Sequence, residues 1–171
     1  IVKEFEETLN SDSIIICDFG MPQSDKLFAL TDGIVESALA VTRSLVEDLN
    51  SVTVLWEDFS AKDISGRIVE NLTDFSVLFN DFAVLEAGAR TMDSAAIVKK
   101  SQKDILAAKK VYIIAAHFSE RIIMSFAKSF SNSNIPVQYL YVTSGEVDRG
   151  LIDGISASSG IVVSVVNPDE I

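Results

Sequence analysis

The chain has 171 residues, 48% hydrophobic and 23% charged, with 14 Lys and Arg against 25 Asp and Glu, a formal net charge of −11. A chain of this length forms one domain that buries about 70% of its unfolded surface, and its apolar content excludes a disordered one. The acidic balance argues against nucleic acid or anionic lipid as partner, since both need a basic face, and a single Cys excludes a disulfide framework or a CxxC-type zinc site.

The opening Ile1-Val2-Lys3-Glu4-Phe5-Glu6-Glu7 lacks the basic and apolar regions of a secretory signal. Ser13–Asp18 (SIIICD) is a nearly continuous apolar run ending in an acid, the pattern of a strand buried on both faces of a parallel sheet. Residues 26–49 place Leu27, Leu30, Ile34, Ala38, Val41, Leu45 and Leu49 at spacings of three and four, predicting a long amphipathic helix. A second strand follows at residues 52–57 (VTVLWE), then a short helix is predicted over residues 63–72. In the aromatic-rich stretch 75–85, Phe75, Phe79, Phe82 and Leu85 recur at helical spacing, as core or as an exposed apolar ridge for a partner. Helices are predicted over residues 94–107, 120–130 and 147–157, and strands over 111–116 (VYIIAA), 137–142 (VQYLYV) and 161–166 (IVVSVV). No run approaches the roughly 20 apolar residues of a membrane span.

Strands alternating with helices imply crossover connections. The expected fold is a three-layer α/β/α sandwich with a mainly parallel central sheet, Rossmann-like, in one domain over residues 1–171. The chain opens on Ile1 rather than Met and is read as part of a longer protein, whose remainder could hold a membrane anchor. This segment is expected to be cytoplasmic, without direct membrane contact.

In open α/β sheets ligands bind outside the carboxyl ends of the strands, which directs attention to residues 18–25, 57–60, 116–120, 143–146 and 167 onward. Phosphate cradling is absent there. No GxxxxGK[ST] occurs, and the first turn, Asp18-Phe19-Gly20-Met21-Pro22-Gln23-Ser24-Asp25-Lys26, has one glycine where a dinucleotide fingerprint has three. Pro22 also removes a backbone donor. Asp18-Phe19-Gly20 spells the kinase DFG without the rest of that signature. A phosphoaspartyl site wants a second acid at Gly20, or a lysine where Val166-Asn167-Pro168 stands.

Nucleophilic catalysis would need His117 as base with Ser119 or Cys17, but no GxSxG elbow exists. Ser119 reads as a helix N-cap with Glu120 in the first turn. His117 reads as an exposed loop residue, with a ligand or partner contact as the alternative, and Cys17 as a small core residue. Glu57 and Asp58 are strand neighbours that point to opposite faces, so they do not converge as an acid/base pair and read as a solvated strand end. Asn71-Leu72-Thr73 matches a glycosylation sequon, relevant only to a secreted chain.

The order of elements over most of the chain resembles a von Willebrand factor A (vWA) domain, and the first half is most similar to the vWA-like part of bacterial domain-of-unknown-function family 58, with specific motifs over roughly the first third. The resemblance rests on Ile14-Ile15-Ile16-Cys17-Asp18, then Phe19-Gly20-Met21-Pro22, then Lys26-Leu27 opening a helix over residues 29–49, and on the strand Val52-Thr53-Val54-Leu55-Trp56. It implies a metal-ion-dependent adhesion site, whose first Asp is kept as Asp18. The two serines of that motif fall on Gly20 and Pro22, its threonine corresponds loosely to Thr91 in Gly88-Ala89-Arg90-Thr91, and its last Asp falls near Ala116. A hard cation takes about six oxygen ligands, so the site is expected to be degenerate and Mg2+ is not expected.

The resemblance further implies a non-catalytic protein-interaction domain, with a MoxR-type AAA+ ATPase as partner. The expected interaction rim is Asp18, Gln23, Ser24, Asp25, Glu57, Asp58, Thr91, His117 and Ser119, with no catalytic residue, metal or cofactor. The alternative is a Rossmann-like small-molecule or nucleotide-binding enzyme using Asp18, Glu57 and His117. A well-formed pocket with converging polar groups would favour the enzyme, and a shallow rim with an exposed apolar patch the interaction domain.

Overall fold

Ser13–Asp18 forms strand β1, and all six residues are buried, as expected of a strand flanked by parallel neighbours and covered on both faces. The structure, a computed structural model, describes residues 11–20, 26–85 and 92–170. After β1 come helix α1 (Leu27–Glu47), strands β2 (Val52–Asp58) and β3 (Asp63–Val69), helix α2 (Leu72–Ala83), and short helices α3 (Ser94–Lys100) and α4 (Gln102–Ile105). They are followed by β4 (Lys110–Ala115), α5 (Glu120–Phe130), β5 (Val137–Val142), α6 (Arg149–Ser159), β6 (Val162–Val166) and a 3-10 turn at Pro168–Glu170. The strands form one sheet in the order β3-β2-β1-β4-β5-β6. All neighbours pair in parallel except β3, which runs antiparallel to β2.

Alternation along β1 divides the core in two. Ile14 and Ile16 face Ile97, Ile105, Ile123, Phe126 and Ile155, contributed by α3 to α6. Ile15 and Cys17 face Ile34, Ala38, Leu78 and Phe82, contributed by α1 and α2. Each such side chain, fully buried, stabilises the fold by about 1.5–3 kcal/mol relative to exposure. This is the expected three-layer architecture. Cys17 lies inside it as a core residue, and burial pushes its thiol pKa well above the ordinary range. At Gly33 of α1 the layers meet closely: an added Cβ would lie 2.8 Å from Cγ1 of Val142 and 2.9 Å from Cβ of Pro168.

Two predicted elements are corrected, and the aromatic stretch at helical spacing proves to be a helix. Residues 63–69 form an edge strand, not a helix, because Asp63–Val69 pairs with β2 rung by rung from Asp58↔Asp63 to Val52↔Val69. Ile64 and Ile68, four apart, suit a helix face equally well, and only the partner strand decides. The aromatic stretch is helix α2, whose N-cap Asn71 accepts hydrogen bonds from the Thr73 and Asp74 N–H groups, each at 2.9 Å. The predicted helix over residues 94–107 is divided at Ser101 into α3 and α4.

From β1 the chain moves outward to β2 and β3, whereas from β4 it moves the other way to β5 and β6. The sheet therefore has its topological switch point between β1 and β4, where open α/β sheets form their crevice.

Candidate functional site at the β1–β4 switch point

Parallel pairing sets Asp18, the last residue of β1, opposite Ala115, the last of β4. His117 follows two residues later, which carries its ring over the end of β1. Its Nε2 lies 2.8 Å from Oδ2 of Asp18. Asp18 is fully buried, while the His117 side chain is 25% exposed. The same Oδ2 accepts from the Ser94 N–H at 2.6 Å, and Oδ1 accepts from the Gly20 N–H at 2.9 Å. From β5, the Tyr139 hydroxyl donates to the His117 carbonyl at 2.5 Å. The hydrogen bond to Asp18 raises the His117 pKa above its ordinary value, burial opposes the rise, and the charges of Asp18 and Asp93 add to it. Burial pushes the Tyr139 phenol up, keeping it a donor.

At the end of β2, Glu57 is also buried, and its Oε2 accepts from the Met92 N–H at 3.1 Å. Two enclosed carboxylates, from β1 and β2, thus hold the backbone of residues 92–94 where α3 begins. Asp93 between them is the N-cap of α3, accepting from the Ala96 N–H at 2.8 Å. Ser94 is fully buried, and its Oγ meets no hydrogen-bond partner among the described residues.

Several sequence expectations are revised here. His117 is a half-buried partner of Asp18 rather than an exposed loop residue, because the β1–β4 register places a carboxylate beneath it. Glu57 is enclosed rather than solvated, because the α3 entry covers the end of β2. Asp58 stays near the surface and is used in the β2–β3 turn, where Oδ1 accepts from Ser60 N–H, Ser60 Oγ and Ala61 N–H at 2.9, 2.7 and 3.1 Å. Those bonds lower its pKa. Ser119 is the N-cap of α5, accepting from Ile122 N–H at 3.2 Å, as read from the sequence. Gln23, Ser24, Asp25 and Thr91 lie outside the described residues. The parts that sequence reasoning missed are Ser94, Met92 and Tyr139. Asp93 could be read locally as an N-cap, but no local signal reports that the backbone beside it meets two distant carboxylates.

Both oxygens of Asp18 already accept from N–H donors. At position 20, where the resembled motif has a serine, an added Cβ would lie 2.9 Å from Oδ1 of Asp18, so this carboxylate occupies the space such a side chain would need. Among the described residues no three His, Cys, Asp or Glu side chains gather closely enough to hold a metal. Nor is any helix among them long and apolar enough to cross a membrane.

No protein-family model matches the sequence, and no curated protein matches it. Among solved structures, the VWA domain of SpRpn10 is similar with a TM-score of 0.57 at 12% identity, over 91% of this chain and 87% of that one. The fold is vWA-like. At this identity the likeness fixes the path of the chain and leaves its chemistry to its own residues. In the vWA-like domain described here, those residues form an internally bonded cluster at the switch point, and Asp18 is its hub.

Proposed function

We propose that this vWA-like domain is a non-catalytic protein-interaction module, similar to those of bacterial domain-of-unknown-function family 58, in which an internal Asp18–His117 pair stands where the resembled site holds a cation. Its partner is a MoxR-type AAA+ ATPase, met in the cytoplasm, and docking needs no Mg2+. The observation that carries this reading is the enclosure of Asp18, whose two oxygens take three N–H donors from Gly20, Ser94 and His117. A carboxylate so engaged serves as a structural fastening. The excess of acids gives the surface a negative field that speeds encounter with a basic partner face.

The reading as a small-molecule or nucleotide enzyme draws less support. At the strand ends, Asp18 bonds His117 and two backbone N–H groups, and Glu57 accepts from the Met92 N–H. A cavity of about 310 Å3 beside Trp56 and Phe59 has acids, Asp58 and Asp81, already bonded to Ser60 and Arg67.

The test is calorimetric titration of the domain with Mg2+ and Mn2+, with melting temperature followed in parallel, beside co-sedimentation with a MoxR-type ATPase in chelator. No heat, no thermal shift and chelator-resistant binding are expected, because a ligand of the native state must raise apparent stability. Micromolar Mg2+ binding that disappears in Asp18→Ala would overturn the metal-free reading. Absence of ATPase binding would remove that partner.

A further inference from the structure

We propose that the groove between α1 and α2 is the docking site for a basic amphipathic segment of a partner protein. The inference rests on the interaction-module reading and names the chemistry of the partner it takes.

The groove has a volume of about 290 Å3. Its floor is Phe82, and its walls are Val35 and Leu39 of α1 with Phe79 and Leu85 on the α2 side. Phe79 is 55% exposed, a large aromatic presented to solvent where Leu78 beside it is fully buried. A cavity this small lies at the lower edge of what small-molecule ligands use, and its lining suits anchoring side chains. Grooves between helices take amphipathic helices through anchors three and four residues apart.

Charge selects the occupant. The helix pair carries five acids, Asp32, Glu36, Glu47, Asp74 and Asp81, and one base, Arg43. Arg43 pairs with Glu47 at 2.8 Å, and Asp81 is held by Arg67 of β3. Among the described residues, Asp32, on the groove, and Glu36, one turn further along α1, form no ion pair. Like charges four apart on a helix repel, so the free domain keeps an unfavourable arrangement that a cation would relieve. The remaining polar side chain of the wall, Thr31, donates its hydroxyl to the Leu27 carbonyl at 2.8 Å. The mouth therefore presents the Asp32 carboxylate, with Glu36 one turn along the same helix, which calls for Lys or Arg flanking the apolar anchors.

The test uses the 15N-labelled chain and two synthetic peptides with the same leucines at helical spacing, one with Lys and one with Glu on the polar face. The Lys peptide is expected to shift amide signals of residues 31–39 and 79–85. Its affinity should fall with added salt and drop about tenfold or more in Phe79→Ser and in Asp32→Asn/Glu36→Gln. Both variants alter exposed positions, and an unchanged melting temperature certifies the fold. Equal binding of the Glu peptide, no binding of the Lys peptide, or shifts spread over other acidic surfaces would overturn the proposal. Shifts centred on Asp18 and His117 would overturn it while leaving the module reading intact, and ATPase co-sedimentation tests that reading separately. Self-association dispersed by Phe79→Ser would assign the groove to a second copy of this chain and overturn it as well.

Discussion

The imidazole of His117, two residues past the end of β4, stands 2.8 Å from the buried carboxylate of Asp18 at the end of β1, 99 residues earlier in the chain. A fully buried carboxylate costs several kcal/mol in desolvation unless donors surround it. Here two backbone N–H groups and one imidazole do so, and the three donors come from three segments. The pair therefore fastens the first strand, the entry of α3 and the loop after β4 to one point.

This fastening is pH-dependent, and the sign follows from the raised pKa of His117. A group whose folded-state pKa exceeds its unfolded value contributes fully below the unfolded value, near 6.5, and loses that contribution as pH rises through the folded value. His117→Ala should lose about 1.5–3 kcal/mol near pH 6, the range for a hydrogen bond to a charged group. The deficit against the parent should narrow in alkaline buffer. Urea denaturation of both proteins across pH measures it, and a pH-independent deficit would mean that folding leaves the His117 pKa unchanged.

Asp18→Ala removes the acceptor of three donors at once. Each orphaned buried donor costs about 1–3 kcal/mol, so a total loss of at least roughly 3 kcal/mol is expected. Millimolar Mg2+ should restore none of it. Denaturation curves with Mg2+ and with chelator test this directly, and recovery in Mg2+ would show that the folded variant binds the cation through other groups.

Ser94→Ala should stabilise the protein by about 1 kcal/mol. Its hydroxyl is buried without a partner, and an unsatisfied buried group is a net cost. The N–H bond to Asp18 is kept, and Ala has the better helix propensity. A fall in melting temperature would mean that the hydroxyl is bonded in solution.

Gly33→Ala, in contrast, should destabilise by about 1–3 kcal/mol, although Ala is favoured over Gly in helices by about 0.8–1.0 kcal/mol. The new methyl would meet Val142 and Pro168 at 2.8 and 2.9 Å, and neither can swing aside. Val142→Ala in the same background should recover part of the loss. A stabilised Gly33→Ala would mean that α1 can move away from β5.

The strands of the parallel sheet were legible because burial on both faces demands unbroken apolar runs, and Ile14-Ile15-Ile16-Cys17 has little other use. Residues 120–130 were equally plain, since the Ser119 cap and the spacing of Ile123, Phe126 and Phe130 agree. β3 was not legible. Its residues are half-buried at the sheet edge, and at such positions the hydrogen-bonding partner matters more than the local pattern.

The sequence by itself determined the layered α/β architecture, the core role of Cys17 and the cap at Ser119, because periodicity, capping and apolar runs act within a few residues. Only the tertiary structure decided that Asp18 meets His117, that Glu57 and Asp18 grip the entry of α3, and that Phe79 is left exposed on the same groove as Asp32. Those outcomes depend on strand order and register. Strand order and register join residues distant along the chain, so no local window of sequence carries them.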